Sequence, residues 1–276
     1  SEMCIRDRFK REFKSYFQNV IGWLFVAALL AVYGLYFYVY NLKNGYPYIS
    51  YDLNGIGFIM MIAVPILTMR SLSDEKKTKT DQLMLTSPVS VGRIVAGKYF
   101  AMAAVYTIVI ALFALSPLVL SIYGKVALSE AYVALFGYWL YGLSCIAVGL
   151  FISSISESVI ISAILTFTAL FLSYMMQSIT GLISSSGNLL TKVLNCFDLY
   201  TPFENFVSGC FSVTSAAYYV TVILLLCFLT TQSIQKRRWA FSKKMIGTGA
   251  FSAGMIVVMC ACLLYTSDAA DEEDSV

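Results

Sequence analysis

Seven long stretches of this chain contain no Asp, Glu, Lys, Arg or His: Val20–Tyr40, Leu53–Met69, Tyr99–Ile122, Ala131–Ser153, Ser158–Gln177, Ser215–Gln235 and Ile246–Tyr265. A hydrocarbon layer about 30 Å thick is crossed by about 20 helical residues, with every backbone polar group bonded inside the helix. The runs have that length; the shortest, Leu53–Met69, reaches about 26 Å at about 1.5 Å per residue. The alternative is a large soluble protein with buried helices, but seven charge-free runs exceed what one such core uses. Only 13% of the 276 residues are charged, against roughly 25% in a soluble domain. The chain therefore reads as an all-α integral membrane protein. Pro65 and Pro117 fall inside the second and third runs and predict kinks there.

Translocated loops are poor in Lys and Arg, so the cations give the orientation. Residues 1–19 carry five, residues 70–98 six and residues 236–244 five, whereas Lys43, Lys125 and Lys192 stand alone in the intervening loops. The alternation places the N-terminus and the basic loops in the cytoplasm, with the turn Ser154–Glu157 on the same side. Cys145, Cys227, Cys260 and Cys262 lie in the runs, and Cys196 and Cys210 in an outside segment, where they could pair or remain free. No spacing resembles a metal site.

Ser1–Arg8 and Cys262–Val276 resemble translated sequencing-adapter read-through, the alternative for the second being a genuine acidic tail. Residues 1–8 are accordingly read as a non-native leader and 262–276 as a non-native tail.

Three segments between the runs carry pattern. Phe9, Phe13, Tyr16, Phe17 and Val20 recur at helical spacing, with Lys10, Arg11, Lys14 and Gln18 on the opposite face, which predicts an interfacial helix on the cytoplasmic leaflet. In Arg70–Lys98, Asp74-Glu75-Lys76-Lys77 reads as solvated. Thr80-Asp81-Gln82 then starts a short helix through Leu83, Met84 and Leu85 that Pro88 ends, leaving an exposed Leu-Met-Leu patch suited to docking a cytoplasmic partner or to resting on the bilayer. Outside, Thr201-Pro202-Phe203-Glu204 has the form of a capping box with proline at the first helical position. The helix it starts, with Phe203, Phe206 and Phe211, is expected to lie in the outer leaflet. Gly137, Gly142, Ser144, Gly149 and Ser153 give the fourth run a row of small residues for close packing, as Ala250 and Gly254 do in the last. Tyr33, Tyr36, Tyr38 and Tyr40 read as an aromatic belt.

With no histidine and no acid inside a run, His-ligated haem, zinc proteolysis, Ser-His chemistry and intramembrane aspartyl chemistry find no residues here. A proton-coupled carrier would keep ionisable groups at membrane depth, whereas sodium coupling through backbone carbonyls stays open. No GxxxxGK[ST] phosphate loop occurs. No catalytic or metal-binding residue is assigned, and any work done on a substrate must be powered by a partner.

The stretch PILTMRSLSDEKKTKTDQLMLTSPVSVGRIVAGK, Pro65–Lys98, resembles the second span, cytoplasmic loop and third-span entry of ABC-2 type transporter permeases. The matching residues are Asp74, Glu75, Thr80, Asp81, Gln82, Leu83, Leu85, Pro88, Ile94, Gly97 and Lys98, with Lys79-Thr80 where many members have Gly-Thr. Asp198–Val220 and Lys236–Trp239 resemble the gliding-motility-type branch. The resemblance implies a six-span permease bundle over residues 9–240, in a bacterial cytoplasmic membrane, dimerising with a second permease copy and driven by a cytoplasmic ABC ATPase that holds the ATP and magnesium; this chain would bind neither, nor nucleic acid. It further implies a coupling helix at Thr80–Leu85, flanked by Glu75 and Pro88, an elbow helix with Phe9, Phe13, Phe17, Lys10, Arg11 and Lys14, and external helices across Ser178–Thr214. Residues 241–265 then read as a linker and the extra, seventh span of an auxiliary extracytoplasmic module. The expected function is the permease subunit of an exporter. A non-transporting scaffold coupled to an ATPase shares the fold, and a membrane enzyme is disfavoured by the missing histidine.

Overall fold

The structure is a computed structural model and describes residues 5–77, 91–123, 126–183, 197–209 and 211–238. The chain there is helical, with no strand among the described residues. Helix α1 covers Ile5–Gln18, α2 Val20–Phe37 with a wide π-helical turn Tyr38–Lys43 at its end, α3 Ser50–Thr68 and α4 Ser73–Lys77. Then follow α5 Val91–Phe113, α6 Ser116–Tyr123, α7 Leu128–Ile155, α8 Val159–Ile183, α9 Thr201–Val207 and α10 Val213–Arg238. Among the described residues six helical segments are long and apolar enough to cross a membrane: Val20–Lys43, Ser50–Lys76, Val91–Ile122, Leu128–Ile155, Val159–Met176 and Val213–Gln235. The run Ile246–Tyr265 and the pair Cys196 and Cys210 lie outside the described residues.

The fourth span, α7, is the centre of the bundle. Its apolar window is 72% buried against 22% in the fifth span and 28% in the sixth, and it packs on α3, α5, α8, α9 and α10. The row of small residues explains how one helix serves so many neighbours. A side chain at Gly137 would strike Phe206, one at Gly142 the Tyr106 phenol and one at Gly149 the Thr68 side chain. Each glycine thus admits a bulky group from a different element, and Tyr106 Oη–H donates to Tyr138 O at 2.7 Å across the approach.

The two prolines act differently. Helix α3 runs through Pro65, and Thr68 Oγ–H donates to Val64 O at 3.0 Å just beyond it. At the other site the helix stops: α5 ends at Phe113, the chain turns through Ala114–Leu115, and Pro117 enters the first turn of α6, where its missing N–H leaves no bond unmade. Ser116 Oγ–H donates to Phe113 O at 2.7 Å across the break.

Four expectations are corrected. Tyr33 does not belong to an aromatic belt; it is buried, stacks on Phe113 at 3.9 Å between centroids and bonds the Ser116 hydroxyl. Helix α3 begins three residues before the charge-free run, so Asp52 enters the second span, fully buried and bonded by the Asn41 amide, which the π-helical turn directs inward. Helix α1 does not turn its apolar face to lipid: Phe13, Tyr16 and Phe17 pack on the protein core, chiefly along α5, and Val20 is exposed. The external helix α9 likewise turns inward, with Phe203 and Phe206 buried and Phe203 stacked on Tyr141 at 5.6 Å.

Candidate coupling site at the basic face

Helix α1 folds back on the first span through Asn19, whose backbone is extended (φ −93°, ψ 149°). The turn is tight enough that any side chain at Gly22 would meet the Tyr16 carbonyl. Trp23 Nε1–H donates to Phe17 O at 2.9 Å and holds the corner. Phe13 and Phe17 therefore face the bundle with Glu12 beside them, while Lys10, Arg11 and Lys14 stay exposed.

Glu12 meets a buried cation. Lys98, in the second turn of α5, has a side chain only 4% exposed, and its Nζ lies 2.7 Å from Glu75 and 3.5 Å from Glu12 while donating to Ser71 O at 2.9 Å. Arg11 stands 3.7 Å from Glu12 at the rim, so two acids and two cations balance. A buried charge costs several kcal/mol unless it is paired and hydrogen-bonded, and this lysine has both. Burial, more than the nearby Glu12 and Glu75 carboxylates, pushes the Tyr16 phenol above its ordinary range.

The fourth span contributes the opposite wall. Ser153 Oγ accepts the backbone N–H groups of Leu72 and Ser73, each at 3.1 Å, and so caps α4 from another helix. Ser73 Oγ–H reaches Ser153 O at 3.2 Å, and Lys76 Nζ donates to Ser154 O. The segment Asp74–Lys77, expected to be solvated, is thus a short helix with Glu75 and Lys76 partly buried against the bundle. The ends of spans two, three and four and the helix α1 converge on the base of one loop.

Of the residues read from sequence as a docking site, the structure places Glu75 here; Thr80, Asp81, Gln82, Leu83, Leu85 and Pro88 lie outside the described residues. Phe13 and Phe17 flank the cluster, and Phe9, Lys10, Arg11 and Lys14 lie on the same helix. Thr201, Pro202 and Glu204 belong to α9, apart from it. There the helix starts as expected but by another cap. The Asp198 carboxylate accepts the N–H groups of Tyr200 at 2.9 Å and Thr201 at 3.1 Å, and the Thr201 hydroxyl donates to it at 2.5 Å. Thr201 is a donor to the cap and not the cap, because the helix already includes it as its first residue and its hydroxyl is committed to Asp198. Burial, helped by Asp198, raises the proton affinity of Glu204.

Lys98, Glu12 and Ser153 were not singled out as site residues from sequence. Glu12 carried a signal: it stands three residues after Phe9 and four before Tyr16, on the apolar stripe of α1, where an acid needs a partner.

The family described as "ABC-2 family transporter protein" matches residues 35–234. The chain belongs to the ABC-2 transporter family. No curated protein matches it. The match runs from the end of the first span to the end of α10 and contains Glu75, Lys98 and Ser153, with α1 preceding it. The protein is accordingly a multi-pass membrane protein and the permease subunit of an ATP-binding cassette transporter. Permeases of this family are its non-catalytic membrane part and associate with a cytoplasmic ABC ATPase.

Proposed function

We propose that this permease is driven by an ATPase that docks on the loop between α4 and α5, and that the linked base of that loop converts docking-site motion into tilting of the spans. The observation that carries the reading is the convergence on Lys98 and Ser153. A push on the loop is felt at once by span two through Ser71 and Glu75, span three through Lys98, span four through Ser153 and Ser154, and α1 through Glu12. The face carrying α1 is then cytoplasmic, as the alternation of Lys and Arg along the sequence favours.

Nucleotide and magnesium belong to the ATPase. Gly92–Lys98 follows the spacing of a phosphate loop up to Tyr99, where a Ser or Thr hydroxyl would be required. The segment is helical, and its lysine is committed to Glu75 and Glu12. Transport is outward, in a bacterial cytoplasmic membrane, by a pair of permease chains. The run Ile246–Tyr265 begins an auxiliary extracytoplasmic module.

The test is co-purification with a cytoplasmic ABC ATPase, followed by transport in vesicles. Association that needs Asp81 and Leu83, together with ATP-dependent substrate movement out of the cytoplasmic side, supports the reading. Association unaffected by Asp81→Lys with Leu83→Ala refutes the docking assignment, and ATPase association without substrate movement refutes transport.

A further inference from the structure

At the end remote from the Lys98 cluster, the first two spans are joined by a polar pair that the coupling site does not use. Over the wide turn Tyr38–Lys43 burial runs against hydrophobicity: Tyr38, Val39 and Leu42 are exposed, while Asn41 is only 5% exposed. The Asn41 Nδ2–H donates to Asp52 Oδ2 in the first turn of α3, and Asp52 is fully buried. One turn further along α3 the approach of the two spans is fixed at Gly55, where a side chain would strike the Tyr36 ring. Two atoms of the pair, Asp52 Oδ1 and Asn41 Oδ1, have no hydrogen-bond donor among the described residues.

Both are acceptors, so what completes the pair brings hydrogen or positive charge. Among the described residues no Lys or Arg forms an ion pair with Asp52, and Lys43 on the wide turn is exposed. Of the titratable side chains on the elements packed against α3, Tyr33 of α2 is the one in electrostatic reach, and its hydroxyl is engaged with Ser116. Tyr36 and Tyr40 stack on each other, and Tyr51, beside Asp52 on α3, is exposed. Glu130 of α7, Tyr174 of α8 and Glu204 of α9 make no hydrogen bond or ion pair with Asp52. An ionised carboxylate here is a buried charge without a counter-charge, which folded proteins avoid. A bridging water would donate to both oxygens yet leave the charge. Calcium or magnesium would cancel it but takes about six oxygen ligands, where the pair has two to offer. One proton on the acid does both, because a protonated carboxyl is a donor as well as an acceptor.

We propose that Asp52 and Asn41 form a proton-binding site between the first two spans, with the proton on Asp52 Oδ1 and donated to Asn41 Oδ1. The acid and the amide then share a ring of two hydrogen bonds. When the proton leaves, it passes to water at residues 42–48, which are exposed. Its loss turns Asp52 into a carboxylate, breaks the second bond of the ring and loosens the wide turn from α3. The pair is thus a latch on the connection between spans one and two that holds while protonated and opens as pH rises. The inference rests on the packing of α2 against α3 and not on ATPase docking, so either reading can fail alone.

The test uses the full chain in nanodiscs and infrared spectroscopy. At neutral pH the carbonyl band of a protonated carboxylic acid is expected, moved by transfer to D2O and missing from Asp52→Asn. In Asn41→Leu the band should persist at a higher frequency, because the acid carbonyl has lost its N–H donor. Asp52→Asn puts an N–H where the acid carries its O–H, so the ring survives without titrating, and its melting temperature should match the parent's. Hydrogen exchange over residues 38–53, corrected for its intrinsic pH dependence, should quicken about tenfold in the parent as the proton leaves, the loss of roughly one buried hydrogen bond. Asp52→Asn should show no such rise. A parent with no carboxylic-acid band that disappears on raising the pH overturns the proposal, as does a band unchanged in Asp52→Asn. So does an Asp52→Asn protein that fails to fold or melts well below the parent, since the neutral isostere would then not replace the acid. A melting temperature that sodium raises in the parent and not in Asp52→Asn overturns it too, the pair then holding a metal cation.

Discussion

Replacing Lys98 with methionine keeps most of the side chain's length and removes its ammonium group, which separates the polar cluster from packing. With an effective dielectric constant near 20, the attraction to Glu75 at 2.7 Å is about 6 kcal/mol and that to Glu12 at 3.5 Å about 5 kcal/mol. Much of this is offset by the cost of taking the lysine out of water, several kcal/mol. The loss on substitution is governed instead by the acids left behind. Removing one partner of a buried pair costs about 3–5 kcal/mol, and Glu75, 25% exposed, recovers some hydration, which places the value near 3 kcal/mol. For a bundle of this size that is a fall of roughly 6–12 °C in the melting temperature. Detergent-solubilised protein followed by fluorescence-detected size exclusion after heating supplies the measurement. Lys98→Met with Glu75→Gln should recover at least half of the loss, because the main uncompensated charge is gone. A Lys98→Met protein as stable as the parent, or a double variant no better than the single one, would show that the cluster does not hold the loop base to α5.

Three further outcomes follow from the same geometry. Ser153→Ala leaves the Leu72 and Ser73 N–H groups without their acceptor, at about 1–3 kcal/mol, and hydrogen exchange in α4 should rise while exchange in α9 stays unchanged. Phe203→Ala opens a cavity against Tyr138 and Tyr141 and should cost about 3–5 kcal/mol, read as a lower melting temperature and faster exchange in α9. Glu204 has its proton affinity raised in the folded protein, so the stability it contributes is full below the unfolded pKa and is lost as pH rises through the folded one. Protection of α9 should accordingly fall as pH rises above the ordinary glutamate range, and Glu204→Gln should remove that dependence.

The site was legible in part. Glu75 and the Gly97-Lys98 pair stand out in the sequence, yet nothing local says that they meet, because α4 and α5 are brought together only by packing on α7. Ser153 was read as a small residue for helix approach. Its role as a cap depends on the end of span four lying against Leu72 and Ser73, eighty residues away in the chain. Asp52 escaped because a charge-free window begins at Leu53, while the helix that carries it starts at Ser50 and buries it against Asn41. The Thr201 capping box failed for a local reason: Asp198, three residues earlier, already supplies the acceptor that the helix start requires.

What the sequence determined by itself is the solvent of this protein and the places along the chain of the six described spans. Hydrocarbon tolerates only backbone that is bonded internally and side chains without charge, and that condition acts on each segment alone. What only the tertiary structure decided is where the polar groups at the span ends go. Seen as sequence, the apolar faces of α1 and α9 suit lipid and protein equally well. The glycines of α7 let Phe206, Tyr106 and Thr68 approach, so the helices close round it and both faces turn inward. Lys98 becomes a buried link between α1, α4 and α5 for the same reason: its partners are contributed by segments that packing alone brings together.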